Sequence, residues 1–236
     1  RVSGVVNGTS ISYVSNGNFD FDGYIESTGH TLTLMGSVNA RLFGSAWGNF
    51  ILNGNAKVVS FVRGLDLTIT VNGTASYKNM TDQYAQTAKV YSGIFENYGR
   101  WVQGSQNFIQ VLGGEFKNFN FISSTIFGPV YLTAGIYSDN NSITECTYNN
   151  NNSYCIYKTG GVYISRNGAL FMANNGSPIC VDGNTATAKD VIYLGLTTNA
   201  DGVTRGALLP SVIGGTYAPI PRIVNNLNEG STYKWY

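Results

Sequence analysis

Apolar and polar positions alternate with a period of two along most of this chain, while the 3.6-residue period of an amphipathic helix is nearly absent. The clearest stretch runs from Leu65 to Val71, where Leu65, Leu67, Ile69 and Val71 fall on one side and Asp66, Thr68 and Thr70 on the other. That pattern predicts a half-buried strand. Thr31 to Met35 gives a shorter alternation. Val58 to Val62, Phe119 to Ile122, Val130 to Ile136 and Val191 to Leu196 are more continuously apolar, as expected of strands covered on both faces. Only Thr81 to Val90, with Ala85, Ala88 and Val90, has room for a short helix.

Turn signals divide these runs at short intervals: Asn53-Gly54, Asn72-Gly73, Gly113-Gly114, Gly160-Gly161, Asp182-Gly183 and Asp201-Gly202. Between Val162 to Ser165 and Ala169 to Met172 lies Arg166-Asn167-Gly168, and Asn-Gly between apolar runs predicts a tight hairpin. The expected fold is therefore all-β, an antiparallel β-sandwich or jelly-roll-like body. A right-handed β-helix is the main rival, set aside because no regular repeat of the required length is evident. Residues 139 to 155, rich in consecutive Asn, read as an exposed loop.

The two ends differ in character. Residues 1–14 join strand formers to small residues with no charge after Arg1, a segment able to pair in its own sheet or in a neighbour's, and residues 15–236 form the body. Pro210, Pro219 and Pro221 place an edge, bend or extended cover near the C-terminus, followed by a last short aromatic strand, Thr232 to Tyr236. The start at Arg1, without Met or an apolar leader, suits a processed exported chain.

Composition changes the picture by what it removes. Among 236 residues 43% are hydrophobic and only 11% charged, so Asn, Ser, Thr, Gly and the sixteen Tyr must carry solubility. Fourteen basic and thirteen acidic residues, scattered singly to a net charge of +1, supply no footprint for nucleic acid. No apolar run reaches spanning length, so no membrane span is expected. Six Asn-X-Ser/Thr tripeptides occur, at Asn7, Asn72, Asn79, Asn140, Asn151 and Asn175. Their number is near chance for such a chain, but most fall at turns or in the Asn-rich loop, where a glycan can project into water. Cys146 and Cys155 bracket that polar loop with the spacing of a hairpin-stapling disulfide, which an oxidising compartment would favour. Cys180, on an apolar run, reads as a buried thiol, with an alternative pairing to either of the others left open.

Candidate chemistry is sparse. His30 is the one histidine and lacks a nucleophile motif nearby, so it reads as a strand-edge residue. Asp20 and Asp22, with Glu26, could form a carboxylate pair or a calcium site, but Asp-Phe-Asp-Gly lacks the remaining ligands of such a loop. Trp47, Trp101 and Trp235 invite sugar stacking, against which core packing is the plainer reading. The expectation is no enzyme, no metal and no cofactor beyond N-linked glycans.

With its uncharged surface, its sequons and a strand-like segment carrying Val2, Val5, Val6, Ile11 and Tyr13, the chain resembles the thread-type, donor-strand-exchange filament proteins of archaeal cell surfaces. The resemblance implies an extracellular glycosylated filament for adhesion or cell contact, a head-to-tail homopolymer in which residues 1–14 complete a neighbour's sheet. Two rivals share these features: a viral spike or fibre domain, and a secreted carbohydrate-binding protein.

Overall fold

The computed structural model describes residues 2–7, 11–15, 18–26, 31–84, 86–103, 108–125, 128–147, 154–166, 169–172, 177–181, 191–194, 196–198 and 204–206. Its strands stack as parallel rungs. Of β1 (Val2–Asn7), β2 (Ile11–Ser15), β3 (Asn18–Glu26) and β4 (Thr31–Gly36), the third adds to the first and the fourth to the second. Next come two long strands, β5 (Asn39–Leu52) and β6 (Lys57–Val71), paired in parallel with one register shift between Ala46 and Gly48.

Beyond β6 each circuit breaks into shorter strands. β7 (Ser76–Asn79), β8 (Gln83–Tyr84) and β9 (Thr87–Val90) make one circuit; β10 (Ile94–Asn97), β11 (Trp101–Gln103) and the start of β12 (Ile109–Asn118) make the next. The pattern continues through β13 (Phe121–Ser124), β14 (Val130–Asn140), β15 (Ile143–Cys146), β16 (Tyr154–Lys158), β17 (Val162–Arg166), β18 (Ala169–Met172), β19 (Ser177–Val181) and β20 (Val191–Leu194). Strands β8, β11, β13, β15 and β18 stack into a separate parallel sheet that forms one side of the later circuits. Among the described residues, only β21 (Leu196–Thr198) and β22 (Thr204–Gly206) pair antiparallel.

This architecture is a parallel β-solenoid, and it overturns the antiparallel sandwich or jelly-roll-like expectation, including its completion by a neighbour's strand. The cause lies in the turns. Arg166-Asn167-Gly168 does not close a hairpin, because β17 pairs with β14 and β20 while β18 pairs with β15; the segment joins two sides of one circuit. Thr81 to Val90 holds β8 and β9 instead of a helix. The alternation at the end of β6 stands as expected, with Leu67, Ile69 and Val71 buried and Thr68 and Thr70 half-buried.

Parallel register brings equivalent residues of successive circuits into columns. One inward column runs Ala40, Val58, Tyr77, Phe95, Phe116, Tyr137, Tyr163. From Tyr77 onward these are rings, with centroids 4.9, 4.8, 5.6 and 5.9 Å apart along the column. On the long strands β5 and β6 this column holds Ala40 and Val58, and rings fill the section where the circuit gains further strands. Trp101 meets Phe95 edge-on at 5.6 Å and seals this wider core. Each such ring pair contributes roughly 0.5–1.5 kcal/mol beyond its buried area.

A second column marks the corners. At Gly135 the backbone takes φ 76°, and a Cβ there would lie 2.1 Å from the carbonyl oxygen of Gly114 one circuit below. No L side chain fits that approach. Elsewhere in the core the fit is less complete: the side-chain amides of Gln86 and Gln103 are enclosed with no hydrogen-bond partner among the described residues. Changing both to Met, similar in volume and free of polar hydrogens, should raise stability by about 1–2 kcal/mol in urea unfolding.

Candidate functional site

Inside the corner that follows β7, β10, β12 and β14, four equivalent positions carry Asn79, Asn97, Asn118 and Asp139, all fully buried. The Asn79 Nδ2 donates to Asn97 Oδ1 at 2.8 Å, Asn97 Nδ2 to Asn118 Oδ1 at 3.1 Å, and Asn118 Nδ2 to Asp139 Oδ1 at 2.9 Å. Residue spacings along this ladder are 18, 21 and 21. The start is tied off by Gln83, whose Nε2 donates to Asn79 Oδ1 at 2.6 Å and to the Val62 carbonyl at 2.7 Å.

Asp139 ends the ladder because the groups around it donate. Besides Asn118, Ser142 Oγ and Thr144 Oγ1 donate to its Oδ1 at 3.0 and 2.9 Å, and the Tyr163 hydroxyl donates to Oδ2 at 3.0 Å. These bonds favour the carboxylate, but complete burial outweighs them and pushes the group up to about 6. The carboxyl is sealed among Tyr137, Tyr163 and the corner, so the geometry gives it a structural role.

The sequence-predicted residues distribute unevenly around this frame. Asn79 is enclosed, and its Nδ2 also donates to the Thr81 carbonyl at 2.8 Å, so a glycan there is incompatible with the folded ladder. Asn72 lies half-buried at a turn and donates to Asn53 Oδ1 at 2.9 Å, leaving a second N–H position on the same nitrogen. Asn140, half-buried at the end of β14, donates to Ser138 Oγ at 3.1 Å and to the Asn118 carbonyl at 3.3 Å. Asn7 ends β1; Asn151 and Asn175 lie outside the described residues, as do His30 and Trp235. Peptide mapping of the native protein should find Asn79 unmodified, and a glycan on it would contradict the ladder.

Cys146 closes β15 and Cys155 lies in β16, both buried. Those strands belong to different sheets, so the pair sits at a corner and staples no hairpin. Burial pushes the Cys155 thiol well up, and the neighbouring Cys146 and Asp139 push it further. Cys180 lies on β19. Val2, Val5 and Val6 lie on β1, paired to Phe21, Tyr24 and Ile25, and Ile11 and Tyr13 lie on β2, paired to Leu32 and Leu34. The segment expected to leave for a neighbour is therefore a rung of its own solenoid. Asp20 and Asp22 lie on β3, in register with Arg41 and Phe43. Trp101 is fully buried and unavailable for sugar stacking. Among the described residues no group of three or more His, Cys, Asp or Glu gathers to hold a metal, and no helix is long and apolar enough to cross a membrane.

The arrangement that sequence reasoning missed is on the outer face of β5, β6 and β7. Asn39, Arg41, Lys57, Val59, Ser76 and Lys78 line an open groove of about 510 Å³. A second groove of about 600 Å³, lined by Ser37, Asn39, Asn55, Lys57 and Thr74, shares Asn39 and Lys57 with it. On the same strands Phe43 and Phe61 stack at 5.1 Å, and Phe61 is 40% exposed. Lys78 pairs with Glu96 at 3.0 Å, which raises its ammonium pKa. The only signal in the sequence was the shared phase of Arg41 with Phe43 and of Lys57 with Phe61, which needs the register between β5 and β6 to become a surface.

No protein-family model matches this sequence, and no curated protein or solved structure shows significant similarity to it. The fold defines its class, a parallel β-solenoid with an internal amide ladder.

Proposed function

We propose that this chain is a structural, non-enzymatic element of an extracellular filament or stalk, serving adhesion or cell contact. One observation carries the reading: the core is a set of columns running from circuit to circuit, aromatic, glycine and amide, with its enclosed carboxylate built into the packing. Such a core is extended by adding rungs, and each rung satisfies the edge before it. An exterior with little charge and a turn-placed sequon at Asn72 suits a glycosylated surface outside the cell.

The route of assembly changes with the fold. β1 is held by β3, and its other edge has no strand partner among the described residues. Subunits would join by adding a rung of a neighbour to that edge, a head-to-tail contact that propagates without closure. The test is electron microscopy of the native material, followed by the same on a variant with Ser3→Lys and Val5→Lys, since charge on an edge strand blocks strand addition. Soluble, folded subunits that no longer stack are expected; unchanged filament growth would sink edge addition.

A further inference from the structure

We infer that the outer groove around Lys57 binds an acidic oligosaccharide, one carrying a carboxylate on the sugar ring. This goes beyond the structural role, since neither the groove nor its chemistry is needed to stack rungs.

The charge pattern narrows the ligand. Of the three cations lining the groove, Lys78 is matched by Glu96 and Arg41 is engaged in an interaction of its own. Lys57 is exposed, flanked in register by Asn39 and Ser76, and makes no ion pair among the described residues. The groove thus offers about one uncompensated positive charge. A polyanion such as nucleic acid draws its affinity from several phosphates neutralised together, which one lysine does not supply. A ligand with a single carboxylate among hydroxyls does match it.

The rest of the lining points the same way. Asn39 and Ser76 carry neutral donors and acceptors suited to sugar hydroxyls, and the groove crosses three rungs, roughly 10 Å at the usual strand spacing. That is room for a short oligosaccharide. Two positions further along β6, beyond Val59, the exposed Phe61, backed by Phe43 in near-parallel stacking (5° between ring planes), gives an apolar ring against which a pyranose can pack. Cation, hydroxyl partners and ring are held on adjacent rungs whose register is fixed by the backbone ladder.

The test is calorimetric titration of the whole chain with an oligogalacturonate and with its neutral galactose counterpart. The wild type should bind the uronate and not the neutral sugar. Lys57→Gln should weaken that binding about tenfold or more, the worth of one charge-assisted hydrogen bond. Phe61→Ala should weaken it several-fold, while Lys89→Gln, on β9, should leave it unchanged. Lys57 and Phe61 are both exposed, and circular dichroism should find these variants folded. Failure of the wild type to bind, equal binding of the neutral sugar, undiminished binding by Lys57→Gln, or a preference for single-stranded DNA would each overturn the proposal. Filament formation is read separately by microscopy, so the two readings fail independently.

Discussion

Asn97→Leu is expected to lower stability by about 2–4 kcal/mol in urea unfolding, a large effect for a side chain that touches no ligand. The substitution leaves one Asn79 N–H buried without an acceptor and strips one donor from Asn118 Oδ1. Each of the two atoms that lose a partner keeps another, Asn79 Nδ2 the Thr81 carbonyl and Asn118 Oδ1 the Asn120 N–H, which bounds the loss from above. Changing Asn118 to Leu as well should add less than its separate cost, because the bond between the two is already gone. The comparable change at Asn53, whose bond to Asn72 is only part-buried, should cost under about 1 kcal/mol. If Asn97→Leu unfolds at the wild-type midpoint, the ladder contributes nothing to holding the circuits together.

Asp139 should make the chain more stable in mild acid than at neutrality. Its folded value of about 6 lies above the ordinary 3.8, so between those limits the folded state holds a proton that the unfolded chain has lost. The stabilisation is complete below about pH 4 and disappears as pH rises through 6. The interval from 3.8 to about 6 corresponds to about 3 kcal/mol of stabilisation at low pH. Asp139→Asn is the control, because an amide oxygen can accept from Asn118, Ser142 and Thr144 while its nitrogen donates to the Tyr163 hydroxyl, which can turn to accept. Urea midpoints from pH 4 to 7 should therefore fall for the wild type relative to Asp139→Asn. Parallel curves for the two proteins would mean that the carboxyl is not held against its ionisation.

The strands were legible in the sequence and their pairing was not. Alternation located β4 and the end of β6 because it reports which side of a strand is buried, whatever lies beside it. The hairpin reading failed because Asn-Gly and Gly-Gly supply the positive φ of a solenoid corner as readily as that of a reversal. Gly54, Gly73, Gly93, Gly135 and Gly161 all take positive φ, each at a corner. Spacings of 18, 19, 21 and 26 between hydrogen-bonded equivalents hid the repeat from a search for a fixed period. Asn79-Met80-Thr81 misled for a related reason: polar residues imply water, and here the Asn amide and the Thr hydroxyl are spent inside a corner. Lys57 and Phe61 share a phase along β6, but β5 and β7 had to be in register before Asn39 and Ser76 stood beside Lys57 to make a groove.

Every amide of the internal ladder points the same way, nitrogen toward the next circuit's oxygen, until a carboxylate receives the last of them. The rod therefore has an arrow in its interior as well as in its parallel strands. The two ends of the ladder are chemically unlike, an amide tied off by Gln83 at one and an enclosed carboxylate at the other, so no circuit between them could be turned over without leaving two donors or two acceptors face to face.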